Sequence, residues 1–184
     1  MTAPRIVLAR KSGAAALAKR VAGLTKLAAY VGIPAAGKRD RKTQLLAMAG
    51  KARGKKRVRL EKAAGSDVTN AELLFIHTKG SPVRHIPARP VLEPAVEADG
   101  NRQAIASELS ASVKANLAGN GQRALNKMKR AALAGQNAAR NFFTDPRNHW
   151  VPNAPSTIKA KGSDRPLIDT GALRAAIVGV VKEE

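Results

Sequence analysis

Cysteine is absent from the 184 residues. That excludes disulfides and thiolate metal sites, and nothing here points to secretion. Aromatic residues are scarce: one Trp, one Tyr and three Phe. The core must therefore be built from Ala, Leu, Val and Ile, and no basic stretch is interleaved with rings for base stacking. No apolar run approaches the ~20 residues of a membrane span, so no membrane partner is expected. The basic start, Met1–Gly13, holds an apolar run too short for a secretory signal. Carboxylates are few, 13 against 33 Lys and Arg. None pair at helical spacing in a cleft-like setting, and no Ser sits in a nucleophile-elbow sequence. His77, His85 and His149 lie at no ligand spacing. The expectation is a protein that is not an enzyme, with no cofactor and no metal.

What is present in excess is positive charge, net +20. It is uneven. Residues 1–62 carry seventeen Lys and Arg against Asp40 and Glu61, a balance of +15; residues 63–184 carry sixteen against eleven, +5. The densest run supplies Lys51, Arg53, Lys55, Lys56, Arg57 and Arg59, the candidate DNA-proximal residues. Like charges so close repel, so Lys51–Lys62 reads as mobile or helical only on contact, after a short helix over 42–49.

The order of elements follows from periodicity. Residues 12–29 suit a helix with Leu17, Val21 and Leu24 on one face, and Leu27 to Pro34 reads as a strand that Pro34 stops. Thr69 and Glu72 have capping-box spacing ahead of a short apolar helix from Ala71 to His77. His85 to Pro94 is extended, because each residue before a proline is pushed out of the α region. Pro94 then suits the first position of a helix over 94–118, with Ile105, Leu109, Val113 and Leu117 in line and a break near Gly100. A second long helix spans 122–143, its buried stripe built from Leu125, Met128, Ala132, Ala139, Phe142 and Phe143. After a Pro-rich loop, Asp169-Thr170-Gly171 reads as a helix start, and Ala176 to Val181 as a strand paired with Tyr30–Ile33.

One motif misleads. Gly32 to Arg39 has the G-x-x-x-x-G-K frame of a phosphate loop, but Arg39 stands where Ser or Thr must hold Mg²⁺, and Pro34 removes a cradle donor.

Two segments together resemble known families. His85-Ile86-Pro87-Ala88-Arg89-Pro90-Val91-Leu92-Glu93-Pro94-Ala95 is similar to the I-P-A-R-P-F-L-R-P-A signature of tailed-bacteriophage tail-completion proteins. Trp150 to Ile177, with Asn153 to Thr157, Lys161-Gly162, Arg165 to Gly171 and Leu173-Arg174, resembles the W-x-P-L-S-P-x-T…K…L-x-D-T-G-x-L-R-x-S-I signature of virion-morphogenesis proteins. Val91, Glu93 and Ala176 depart from the usual Phe, Arg and Ser. The resemblance covers about residues 66–182.

It implies an α+β fold: a small, mainly antiparallel sheet packed against two long helices. It further implies a structural neck protein without catalysis, made in the host cytoplasm and built into the virion at the head–tail junction. Its partners would be itself, in a sixfold or twelvefold ring, the portal or adaptor, the tail proteins and, non-specifically, packaged DNA. Candidate assembly residues are Ile86, Pro87, Arg89, Pro90, Trp150, Pro152, Pro155, Pro166, Asp169, Thr170, Leu173 and Arg174. Trp150 is either an interface anchor or a core residue closing the helix pair. Arg174 either pairs with Asp164 or Asp169 or contacts a neighbour. The expected organisation is a helix and strand over 1–34, a basic insertion over 35–65, and a core with its C-terminal loop and strand over 66–184. The competing reading is a basic protein that binds nucleic acid non-specifically through residues 38–62.

Overall fold

The computed structural model describes residues 11–24, 26–34 and 41–183. The phosphate-loop look-alike falls mostly outside them. The elements run α1 (Lys11–Leu24), β1 (Leu27–Gly32), α2 (Arg41–Gly50), α3 (Gly54–Ala64), α4 (Asn70–Lys79), α5 (Leu92–Glu97), α6 (Asp99–Leu117), α7 (Gly121–Phe142), α8 (Pro155–Lys161), α9 (Ala172–Ala176) and β2 (Val178–Glu183). The fold is α+β, with one antiparallel two-stranded ribbon among the described residues. Its register sets Leu27 opposite Glu183 and Gly32 opposite Val178, which joins the two ends of the described chain.

α7 is the element against which α5, α6 and the two-stranded ribbon pack. Ala124, Met128, Ala131, Ala132, Gly135, Ala138, Ala139 and Phe142 form a buried stripe of mostly small side chains. Small residues let backbones approach closely, and here they do. A Cβ added at Gly179 of β2 would lie 2.1 Å from the carbonyl oxygen of Ala132. The ribbon lies nearly backbone to backbone on α7, and the Gly179 N–H donates to Gln136 Oε1 at 3.0 Å.

The long helix expected from Pro94 is two helices. Ala98, at φ −53° and ψ 128°, breaks it two residues before Gly100, and Pro94 lies inside α5. The line Ile105, Leu109, Val113, Leu117 is not the buried face either: Val113 is 40% exposed and Leu117 37%. Four residues turn a helix by more than a full revolution, so a strict i+4 line drifts around it. The face turned inward follows Asn101, Ile105, Glu108, Ser112 and Ala115 instead. Ser112 is fully buried and donates to the Ala124 carbonyl of α7 at 2.8 Å. α1 is fastened to the far end of α6 by polar bonds, Arg20 Nη1 to Leu117 O at 2.9 Å and Asn116 Nδ2 to Arg20 O at 2.6 Å.

The basic insertion corrects the sequence reading most. Lys51–Lys62 does not run as a free arm: α2 and α3 form a helical hairpin with its own small core of Leu45, Ala49, Leu60 and Ala64, closed by Ala172. Charge repulsion is overcome because Leu60 and Ala64 on one face of α3 are buried while most of the cations point outward. Leu60 is fully buried, and burying a Leu contributes about 2 kcal/mol. Polar bonds then tie the hairpin to the body. Gln44 Nε2 donates to Ala172 O at 2.9 Å, and Asn70 Nδ2 donates to Gln44 Oε1 at 2.8 Å. The Thr69–Glu72 capping box forms as expected, with Thr69 Oγ1 accepting from the Glu72 N–H at 3.1 Å and Glu72 accepting from the Thr69 N–H at 2.8 Å. No helix among the described residues is long and apolar enough to cross a membrane.

Candidate assembly surface and basic hairpin

The two sequence signatures, some sixty residues apart, meet in space, and Arg89 is what joins them. Its side chain is 6% exposed. It donates from Nε and Nη2 to the carbonyl of Val151 (3.1 and 2.8 Å) and from Nη2 to that of Pro152 (3.2 Å). In return Trp150 Nε1 donates to the Pro90 carbonyl at 3.1 Å. The Trp150 ring stands edge-on to Phe142, at 5.7 Å and 80°, and to Phe143, at 6.0 Å and 88°. Such edge-to-face pairs add roughly 0.5–1.5 kcal/mol beyond area burial. Trp150 is half-buried and packs against the main core at the end of α7, the contacts expected of a core residue.

Most of the other candidates are also committed within the chain. Ile86 exchanges backbone bonds with Ser81, at 2.8 and 2.9 Å, closing a tight loop around a 3₁₀ turn over Pro82–Arg84. Gly80, at φ 71°, makes that loop possible: a Cβ there would lie 2.8 Å from the Ala88 nitrogen. Leu173 is 5% exposed and belongs to the main core. Thr170 Oγ1 accepts from the Ala172 N–H at 3.2 Å, so the start of α9 is held by Thr170 with Gly171 at its N-cap. Arg174 pairs with neither Asp164 nor Asp169. Its Nε donates to the Arg140 carbonyl at 2.7 Å, while Arg140 donates to Ile177 O and Ala175 O at 3.0 and 2.9 Å. This reciprocal clasp satisfies carbonyls that the ends of α7 and α9 would otherwise leave unpaired. Asp169 is the ion-pair partner of Arg59. Pro87, Pro90 and Pro166 are half-buried; Pro152, Pro155 and Asp169 are the exposed members of the set. Arg89 and Leu173 therefore position this region from within and cannot themselves be presented to a neighbour.

Between the Lys79–Arg89 loop and the Val151–Thr157 segment lies a groove of about 980 Å³. Its cationic lining comes from Lys79, Arg84 and Arg89, and no carboxylate lines it. Behind it, His77 is half-buried. Burial, then Arg89, then Lys161 hold its imidazole below its usual value. Among the described residues the buried Nδ1 of His77 finds no hydrogen-bond partner. Lys161 is lowered chiefly by burial, and its Nζ donates to the Arg165 carbonyl at 2.6 Å.

The six basic candidates divide. Lys51, Arg53, Lys55, Lys56 and Arg57 are exposed, Arg57 in an i,i+4 ion pair with Glu61 at 2.8 Å. Arg59 is not available: it donates to the Lys161 carbonyl at 3.0 Å and pairs with Asp169, stitching α3 to the C-terminal loop. Sequence spacing held no sign of this, because both partners lie more than a hundred positions away. The first turn of α3 is unusual. It contains Lys55, Lys56 and Arg57, has no acidic residue, and its N-cap Arg53 makes no side-chain cap. Cations beside the positive end of a helix each cost roughly 0.3–1 kcal/mol, a penalty that a bound anion removes. No family model, curated protein or solved structure matches this chain.

Proposed function

We propose that the protein is a structural subunit of a tailed-bacteriophage neck, a homo-oligomeric ring that joins the DNA-filled head to the tail. The reading has no catalytic step. One observation carries it above the rest: the two segments that resemble neck-protein signatures are clasped by Arg89 and Trp150 into a single loop platform. That platform is stiffened by Pro87, Pro90 and Pro152 and backed by the end of α7. Loops held this rigidly lose little freedom on docking, which is what an assembly surface needs. The α2–α3 hairpin supports the second half of the proposal, a DNA-facing wall. Its outer face is cationic, and the uncapped start of α3 attracts phosphate.

Electron microscopy of particles made without this protein tests the joining role. DNA-filled heads accumulating beside free tails are expected; intact, infectious particles would sink the idea. The second reading, a free nucleic-acid binder, is favoured by that same start of α3. The two part on one measurement. Replacing Lys51, Lys55 and Lys56 with Ser should weaken DNA binding and reduce its salt slope by about 0.9 for each phosphate no longer neutralised. On the neck reading, assembly survives that change. On the binder reading, there is no assembly for the change to spare.

A further inference from the structure

We propose that the groove beside Arg89 receives the acid-only turn formed by α5 and the start of α6 of a second copy of this chain. The contact is head-to-tail. It rests on the ring reading above and names the surfaces that build the ring.

Each copy carries +20, so copies repel unless local charges at their contact are opposite in sign. From Leu73 to Leu92 the chain contains no carboxylate, and this stretch supplies the groove's exposed Lys79 and Arg84, with Arg89 buried in its wall. From Pro90 to Asn101 it contains no Lys or Arg, and Glu93, Glu97 and Asp99 are all exposed there. Asp99 is paired with Arg102 at 3.1 Å, whereas Glu93 and Glu97 have no ion-pair partner among the described residues. Of the other stretches of ten or more residues that lack Lys and Arg and hold a carboxylate, 63–78 has its Glu72 spent on the Thr69 cap and leaves Asp67 alone, and 103–113 has its Glu108 paired with Lys127 at 2.9 Å.

Shape agrees with charge. A helix of six residues is about 9 Å long and 10–12 Å across, on the order of 800 Å³, against a groove of about 980 Å³. Apolar surface is available beside the cations: Val151 on the groove wall is 55% exposed, and Val83, in the 3₁₀ turn of the same loop, is 91% exposed. Groove and acidic turn are different surfaces. A contact between them leaves the turn free on one copy and the groove free on the other, so copies add head-to-tail until the rotation closes a ring.

Charge reversal tests this. Lys79→Glu with Arg84→Glu reverses the groove, and Glu93→Lys with Glu97→Lys reverses the turn. All four side chains are exposed, and thermal melts followed by circular dichroism check that both variants fold. Wild-type protein should sediment as an oligomer. Each variant alone should self-associate on the order of a hundredfold more weakly, since like charges then face each other. An equimolar mixture should reassemble, because either variant's free surface complements the other's. Oligomers that persist in both variants overturn the proposed contact and leave the groove to an acidic segment of another protein. A monomeric wild type overturns the ring reading and this contact with it.

Discussion

Replacing Arg89 with Met should loosen the platform while leaving the helices in place. Three donated bonds disappear, and the carbonyls of Val151 and Pro152 are left without those donors. A hydrogen bond to a charged group contributes about 1.5–3 kcal/mol. Against that loss stands the cost of burying the guanidinium with no counter-ion beside it, which Met does not bear. The balance is a loss of about 3 kcal/mol, and Ala should cost about 1–2 kcal/mol more because it leaves the space of the stem empty. With a urea slope of about 2 kcal/mol/M, the unfolding midpoint falls by about 1.5 M for Met. The protein provides its own reporter, since its one Trp adjoins Val151. Native-state emission of Trp150 should shift to the red as its Pro90 bond loosens. The His77 pKa should also rise, because Arg89 repels its protonated form. A midpoint within ~0.3 M of wild type, with unshifted emission, would refute the clasp; the slope that sets this threshold is that of small proteins in general.

Three further outcomes are expected. Gly179→Ala must push the ribbon off the Ala132 backbone and should cost about 3 kcal/mol or prevent folding, whereas Gly100→Ala, with nothing within 4 Å of its new Cβ, should gain about 0.5 kcal/mol; paired urea titrations read both. Because folding lowers the pKa of His77, the unfolded chain binds its proton more readily. Stability should therefore be full above the unfolded value near 6.5 and fall as pH drops below it, and His77→Gln should flatten that stretch of the stability profile. Asp145, held down to about 2 by the Arg147 side chain, adds the case of a carboxylate. Its contribution is present above the usual 3.8 and is lost as pH falls toward 2, and Asp145→Asn should remove that acid-side step.

By itself the sequence determined the elements whose causes are local. The Thr69–Glu72 box starts α4 because a hydroxyl and a carboxylate three residues apart satisfy each other's backbone neighbours in any context. The stripe on α7 was legible because helical spacing leaves it one side to bury, and the two strands because Pro34 stops the first and β-branched residues gather in the second. Tertiary structure alone decided matters that depend on distant partners. Whether the cationic run after Lys51 is loose or helical turned on Leu45, Ala49 and Ala172 offering Leu60 a place to bury, which no local tally of charges registers. The face α6 buries was set by its packing on α7, where Ser112 meets the Ala124 carbonyl. Arg89 and Arg59 looked like surface cations. Each instead reaches carbonyls sixty to a hundred residues away, because a guanidinium has five donors and the loops there lack backbone partners of their own. The sequence thus named the residues of the platform, and the fold decided that the charged and aromatic ones would hold it together from inside.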